Sequence, residues 1–358
     1  MTTRQRLDLL ARAYPRLFPR AGLTRLLRDQ LGDVDALEGW INRGHVRVWA
    51  RAPKLIYHIG AGNLAISAMT SLVQGLLLGA HNVVKLPGDR EDGTTRKEIL
   101  DFIKGLPAPL RKLVETQRVL DPKLMCEADV VIAFGSDATM EKIRSQTRWE
   151  QKFIGHGHAL SLLWLAQPNQ LSPRQARACA IDILTYDQLG CLSPQAIYVP
   201  AGTDVALLGE KLTHALEKHW SGLHPKPPRP LPTAARIAEA RDMAYALGHH
   251  VWLPPKRHLG WTLIHDPSPT FRPSALHGVI YLRQVSSTRL HAALAPIEGR
   301  ISTVGLAGAL SAPMEQVFLD LGVTRFCPAG RMQFPPLTWH HDGGHGLAEM
   351  VTWIDAEV

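Results

Sequence analysis

The sequence predicts an α/β fold in two domains, and three observations carry that expectation. Twice in the first half of the chain a short apolar run passes through a glycine turn into a helix, around Tyr57–Pro87 and around Asp129–Ile143. In the second half, a helical segment and a buried-strand pattern flank the turn that holds Cys191. A chain of 358 residues, 45% hydrophobic and 20% charged, has ordinary globular composition and suits two domains or one large α/β unit.

The first fifty residues read as helical. Leu7, Leu10 and Ala11 share a face of one helix, and Leu23, Leu27 and Leu31 a face of a second. From Leu55 to about Leu165 strands and helices alternate. Within this stretch Tyr57–Pro87 parses as strand, turn, helix, turn, strand, one βαβ unit. Gly60 and Gly62 let the backbone come close to a ligand, and Asn63 follows at the turn. Ile66, Met69, Val73 and Leu76 are expected on one helix face, and Lys85 closes the second strand. A glycine turn of this kind is weak evidence alone, since most merely join a strand to a helix. The next unit runs from Asp129 through an apolar strand to Phe134, a turn at Gly135-Ser136, and a helix that Ser136 or Asp137 caps. Its N-terminus suits a phosphate.

The stretch Asp187-Gln188-Leu189-Gly190-Cys191-Leu192-Ser193-Pro194-Gln195 presents a thiol between the helical segment Ala178–Leu184 and the apolar run Ala196–Val199. A thiol at such a junction becomes a nucleophile when backbone dipoles or a cation lower its pKa. The competing reading is a buried structural cysteine.

Taken in order, these segments resemble the aldehyde dehydrogenase superfamily and, within it, the LuxC-like fatty acyl-CoA reductases. Five stretches carry the resemblance: Gly60–Asn63, Asn82–Pro87, Ala133–Ser136, Asp187–Gln195 and Gly330–Leu337. It spans about Leu55 to Gly343, and the cysteine motif with its trailing Ser-Pro-Gln is its most specific piece. The resemblance implies an aldehyde dehydrogenase-like fold, with a Rossmann-type coenzyme domain and a second α/β catalytic domain. It implies Cys191 as nucleophile and Asn63 as oxyanion donor. It implies Lys85 at the adenosine ribose, and Gly60, Gly62, Phe134, Gly135 and Ser136 around the coenzyme. The domains expected are 1–165 with the N-terminal helices and coenzyme site, 166–326 with the cysteine, and 327–358 folding back near the active site.

The activity implied is NADPH-dependent reduction of an acyl thioester, carried by CoA or an acyl-carrier protein, to an aldehyde through a thioacyl-cysteine. Two departures from the family pattern matter. The glutamate that activates water in hydrolytic aldehyde dehydrogenases is missing from Ile154-Gly155-His156-Gly157-His158, which favours the reductive direction. There His156 or His158 could serve as acid, base or thiolate partner, or the segment could be a histidine-rich turn. The region before the first coenzyme strand is also shorter than LuxC-like reductases generally carry. NADPH is expected over NADH because Gly88 stands where a glutamate often repels the 2′-phosphate, with Asp89 beside it as a partial counterweight.

Other classes are disfavoured. Four cysteines, at 126, 179, 191 and 327, lack the paired spacing of a zinc cage or a disulfide framework, and a reducing compartment is expected. No apolar signal core opens the chain, so a cytoplasmic location is expected. The apolar stretch Leu64–Val84 is interrupted by polar residues and reads as buried helix plus strand rather than a membrane span. The net charge of +8 is dispersed, which suits phosphorylated ligands better than a nucleic-acid groove. The prolines from Pro225 to Pro232 predict an exposed connection. His340, His341, Asp342 and His345 invite a metal reading, but adjacent histidines point apart and no obvious cluster elsewhere completes a site, so no metal is expected. Competing functions are an aldehyde-oxidising dehydrogenase, a non-catalytic acyl-binding homologue and a hydrolase built on those histidines. Homo-oligomerisation is left open.

Overall fold

The computed structural model describes residues 1–88 and 94–357, so Asp89 lies outside the described residues. The chain divides into two units, Met1–His158 with Pro336–Val358, and Ala159–Pro335.

The first unit opens with helices Thr3–Ala13 and Arg20–Leu31, which bury the predicted leucine faces. The helical reading of the first fifty residues stops short of a hairpin, β1 (Ile41–Arg43) and β2 (Val46–Arg51), joined by Gly44-His45. Gly44 has φ +61°, as the first position of a tight hairpin turn requires, and Val48 and Ala50 alternate inward with exposed arginines. The parallel sheet of this unit contains β3 (Leu55–Ile59), β4 (His81–Lys85), β5 (Val114–Gln117), β6 (Val130–Phe134) and β7 (Lys152–His156), in the order β5-β4-β3-β6-β7. Strands β4 and β6 thus flank β3 on opposite sides, which makes a topological switch point at its C-terminal end.

Helix Ala65–Leu78 links β3 to β4, but its buried face differs from expectation. Of the expected residues Val73 and Leu76 are buried, while Ile66 and Met69 are only half-buried and Ala65, Ala68 and Leu72 are buried instead. At Ser71 and Gly75 the helix lies over a buried polar pair on the sheet. His58 on β3 is fully buried, its Nε2 donating to Asn82 Oδ1 (3.0 Å) and its Nδ1 accepting from Ser71 Oγ (2.7 Å). A Cβ at Gly75 would stand 1.9 Å from that same Asn82 oxygen, so only glycine fits there. Burial drives the His58 pKa down to about 4 and keeps the ring neutral.

The second unit is built on a seven-stranded sheet. Its strands are β8 (Leu160–Leu165), β9 (Pro194–Pro200), β10 (His250–Trp252), β11 (Thr262–His265), β12 (Val279–Val285), β13 (Ile301–Ala307) and β14 (Arg325–Pro328). They run in the order β10-β11-β12-β9-β8-β13-β14, with β10 antiparallel to β11 and the other pairs parallel. Strand β8, placed by the sequence at the end of the coenzyme domain, pairs with β9 and β13 here. Its residues face two cores in alternation, Leu163 and Leu165 one and Leu162 and Trp164 the other.

The proline-rich connection ends earlier than expected, since Pro232 is the second residue of helix Leu231–Ala246, a position that needs no N–H partner. Residues 336–358 return to the first unit, where β15 (Thr352–Glu357) pairs antiparallel with β2. No described helix is long and apolar enough to cross a membrane.

Candidate active site

In the first unit, the loops at the C-terminal ends of β3, β4, β6 and β7 gather the residues that the sequence singled out. Gly60 and Asn63 follow β3, Lys85 ends β4, Phe134 ends β6 and His156 ends β7. A Cβ at Gly60 would meet Ala68 at 3.4 Å and the Lys85 carbonyl at 3.8 Å, so the loop runs close to its neighbours there. Ser136 caps helix Asp137–Arg144 by accepting from Thr139 N, while helix Ala65–Leu78 starts at Leu64 without a side-chain cap. Leu64 has no side-chain oxygen with which to cap that helix, and a helix start without its own capping acceptor suits an anion. A switch point, glycine loops and an uncapped helix start together fit a dinucleotide whose phosphates lie over the strand ends.

In the second unit, helix Pro173–Leu184 passes through a left-handed bend at 185–188 into the Cys191 turn and then β9. Tyr186, Asp187 and Gln188 have φ of 55°, 54° and 61°. A run of left-handed non-glycine residues costs roughly 1–2 kcal/mol each, so the surroundings must impose it. The motif's own side chains do this. Asp187 accepts from both terminal nitrogens of Arg229 (2.9 and 2.8 Å) and pairs with His277 Nδ1 (2.5 Å). The Gln188 amide is fully buried; it donates to the Pro194 and Val279 carbonyls and accepts from Gly278 N. Gln195 Oε1 accepts from Ser274 N, and Ser193 Oγ accepts from Gln333 Nε2 (2.9 Å). Ser161 Oγ on β8 donates to the Cys191 carbonyl (2.7 Å). Asp187, Gln188, Ser193 and Gln195 of Asp-Gln-x-x-Cys-x-Ser-Pro-Gln are thus all anchors.

The sequence missed the residues that receive these anchors. Arg229 sits in the proline-rich connection and His277 in a loop before β12, and neither has a local pattern that betrays its role. Asp182, one helical turn before the bend, was also missed. It is buried and accepts from Gly330 N (2.5 Å) and Met332 N (3.0 Å), tying the Gly330–Gln333 segment to the cysteine turn. Burial raises its pKa to about 6 against the pull of those amides.

The four cysteines separate by environment, and none forms a disulfide. Cys179 and Cys327 are buried, and burial pushes their thiols up to about 12 and about 11, so they stay protonated. Cys191 and Cys126 are half-buried. Cys126 lies on the short helix Pro122–Glu127 of the other unit, against the Gln146 carbonyl.

The C-terminal histidines meet a residue that the sequence kept apart from them. Residues 152–156 form strand β7 rather than a turn, and His156 at its end places Nδ1 3.0 Å from Asp342 Oδ2. His341 Nε2 lies 3.5 Å from the same oxygen. The three donor groups lie within 4.8 Å of one another, a spacing compatible with a metal. The ring planes argue otherwise. His156 and His341 are stacked with centroids 4.0 Å apart and planes 19° from parallel, so their lone pairs run side by side instead of converging on one ion. His158 donates its backbone N–H to Asp137 Oδ1.

The parallel five-stranded sheet with the glycine loops and the largely parallel seven-stranded sheet with the cysteine turn define an aldehyde dehydrogenase-like fold. Solved structures agree. NADP-dependent glyceraldehyde-3-phosphate dehydrogenase from Bacillus halodurans C-125 superposes with a TM-score of 0.70 at 14% identity, over 99% of this chain and 87% of that one. Lactaldehyde dehydrogenase from Escherichia coli gives 0.66 at 14% identity, over 100% and 87%. The family model "Acyl-CoA reductase (LuxC)" matches residues 2–353, and the chain belongs to that family. Among curated relatives, the long-chain acyl-protein thioester reductase of Aliivibrio fischeri is 24% identical over 281 residues, 76% of this chain and 57% of that protein. Long-chain acyl-protein thioester reductase 2 of Photobacterium leiognathi is 23% identical over 356 residues, 95% of this chain and 72% of that protein. The match to the first of these spans little more than half of that relative's length.

Proposed function

We propose that the protein reduces an acyl thioester, carried by CoA or an acyl-carrier protein, to an aldehyde with NADPH. The observation that carries this reading is the anchored turn that leaves Cys191 half-exposed while Cys179 and Cys327 are buried and held protonated. Cys191, as thiolate, attacks the thioester carbonyl, and Asn63 and a backbone N–H beside Cys191 stabilise the oxyanion. Expulsion of the carrier thiolate leaves a thioacyl-Cys191. Gly60, Gly62, Lys85, Phe134, Gly135 and Ser136 would hold a nicotinamide coenzyme, which would supply hydride to the thioacyl carbon; the carbon–sulfur bond then breaks, releasing aldehyde and free Cys191. Among the described residues a Cβ at Gly88 meets nothing within 4 Å, which suits a 2′-phosphate there. Ile154 on β7 replaces the carboxylate that would activate water, which protects the thioacyl group from hydrolysis. The first unit is the coenzyme unit in this reading and the second the catalytic one, and the setting is cytoplasmic.

The test is coenzyme oxidation and aldehyde formation across an acyl-CoA series, with Cys191→Ala as control. Chain-length-dependent aldehyde production that disappears in Cys191→Ala supports the reading. Oxidation of aldehyde with NADP⁺ in the absence of CoA, faster than the reductive reaction, would replace it with the oxidising alternative.

A further inference from the structure

The second unit carries a groove that the Cys191 turn and its anchors do not use. It opens between helix Pro173–Leu184 and helix Val205–Ser221, has a volume of about 770 Å³ and is half open to solvent. Asn169, just before the first helix, ties the two together: its Oδ1 accepts from Asp204 N (3.1 Å) and its carbonyl from Lys211 Nζ (3.0 Å). Leu207, Lys211, His214 and Lys218 recur at three- or four-residue spacing, so one face of the second helix lines the groove for about 22 Å, as far as Gly222. Two small buried residues, Ala215 from this helix and Ala176 from the other, form its floor, and Leu171 and Leu223 add apolar walls. Leu207 is 42% exposed, an apolar side chain left facing water at the rim.

Cations crowd that rim. Arg177, His214, Lys218 and His219 all line the groove, and among the described residues none of the four makes an ion pair or a side-chain hydrogen bond. Glu210 is the one carboxylate among the lining residues. Burial and then the nearby Arg177 lower the pKa of His219, so these two groups face each other without an anion to relieve them. Lys218 and His219 lie in the last turn of their helix, where the helix dipole favours cations. Arg177 has no such reason for its place, since it sits in the first half of helix Pro173–Leu184. A cationic rim over an apolar floor is complementary to a ligand with an anionic head and an apolar body. The available space decides the kind of body. A helix laid along the same length fills about 2,000 Å³, more than twice the groove, whereas about 300–1,000 Å³ is the usual size of a small-molecule site. The planar fork of an arginine matches a carboxylate head.

We propose that this groove binds a long-chain fatty carboxylate, its chain lying along Leu207, Ala176 and Ala215 and its head held by Arg177, Lys218 and His219. Binding is non-covalent and independent of the chemistry at Cys191.

The experiment titrates octanoate, decanoate, dodecanoate and tetradecanoate, each below its micelle concentration, into the whole chain by calorimetry. Saturable binding is expected, with affinity rising about two- to fourfold for each added methylene. Arg177→Glu combined with Lys218→Glu should weaken dodecanoate at least tenfold, and dodecanol, which has no charge, should bind at least tenfold more weakly than dodecanoate. Leu207→Asp should also weaken dodecanoate. Tetradecanoate carrying a photoactivated diazirine near its methyl end should label peptides that contain Leu207 or Ala176, a measurement on the unchanged chain that stands apart from the folding of any variant. Labelling of the Cys191 peptide alone would place the chain at the proposed substrate site and overturn the proposal. So would an affinity that ignores chain length or is unaltered in all the variants. Saturable binding of a glutamate-rich helical peptide with none of the fatty acids bound would give the groove to a protein partner and likewise overturn it.

Discussion

Replacing Asp187 by alanine tests whether the cysteine turn is held by its anchors. The carboxylate is 12% exposed, and its partners Arg229 and His277 are 12% and 8% exposed. Removing one member of a buried pair costs about 3–5 kcal/mol, because the remaining charge stays out of water without compensation. Arg229 would keep its Nε bond to the Leu259 carbonyl (2.9 Å), and His277 its contact with Arg236 (3.0 Å), which puts the loss at the lower end, about 3 kcal/mol. With a urea dependence of about 2–3 kcal/mol per molar, the unfolding midpoint should fall by about 1–1.5 M. Arg229 lies 5.4 Å over the Trp220 ring, so Trp220 is one of the nine tryptophans whose fluorescence should respond. Asp187→Asn keeps one carbonyl acceptor and should lose about half as much. The left-handed residues lose their restraint in the alanine variant, and Cys191 alkylation and turnover should change with stability. A midpoint shift below about 0.3 M, comparable to an ordinary surface substitution, would refute the argument.

Two more predictions follow from the structure. His58 and Asp182 give the two units opposite pH responses between about pH 4 and 6. The folded-state pKa of His58 is depressed to about 4, so the first unit keeps the associated stability above pH 6.5 and loses up to about 3 kcal/mol as pH falls toward 4. The folded-state pKa of Asp182 is raised to about 6, so the second unit gains stability as pH falls from 6 toward 3.8. Hydrogen exchange read separately on peptides of each unit at pH 7 and pH 5 checks the signs, and His58→Gln should flatten the first. Gly88→Glu should reduce the preference for NADPH over NADH by tenfold or more, measured as the ratio of kcat/KM, because it places a carboxylate where the 2′-phosphate is expected. An unchanged ratio would dissociate Gly88 from coenzyme choice.

Much of this architecture was legible because it is written in local pattern. The strands at 55–59, 130–134 and 194–200 read as short apolar runs because they are buried on both faces, and the helices at 3–13 and 20–31 show clean leucine stripes. The hairpin at 41–51 was lost among charged residues, its signal reduced to one glycine and two inward positions. Helix 65–78 was read half correctly, with Val73 and Leu76 buried as its period suggests, but Ser71 and Gly75 answer to the His58-Asn82 pair on neighbouring strands, which no helical period shows. The candidate site divides in the same way. Cys191, Asn63 and the glycine loops stand in contiguous motifs, whereas Arg229, His277 and Asp342 act across 42, 90 and 186 positions of sequence. Tertiary pairings at such separations leave no periodicity to read.

The central claim, a thioacyl-Cys191 protected from water, is tested most directly by mixing the enzyme with excess acyl-CoA in the absence of coenzyme and following CoA release alongside peptide mass spectrometry. A base within about 3 Å of the attacking water, or one water further away, is needed for hydrolysis; Ile154 offers none, and continuous release would assign that role to His156 or His158. The account predicts one CoA per active site in a burst, a slow phase afterwards, an acyl adduct on the Cys191 peptide, and renewed release when NADPH is added. Continuous rapid CoA release without NADPH, or an adduct on Cys126, Cys179 or Cys327, would contradict it.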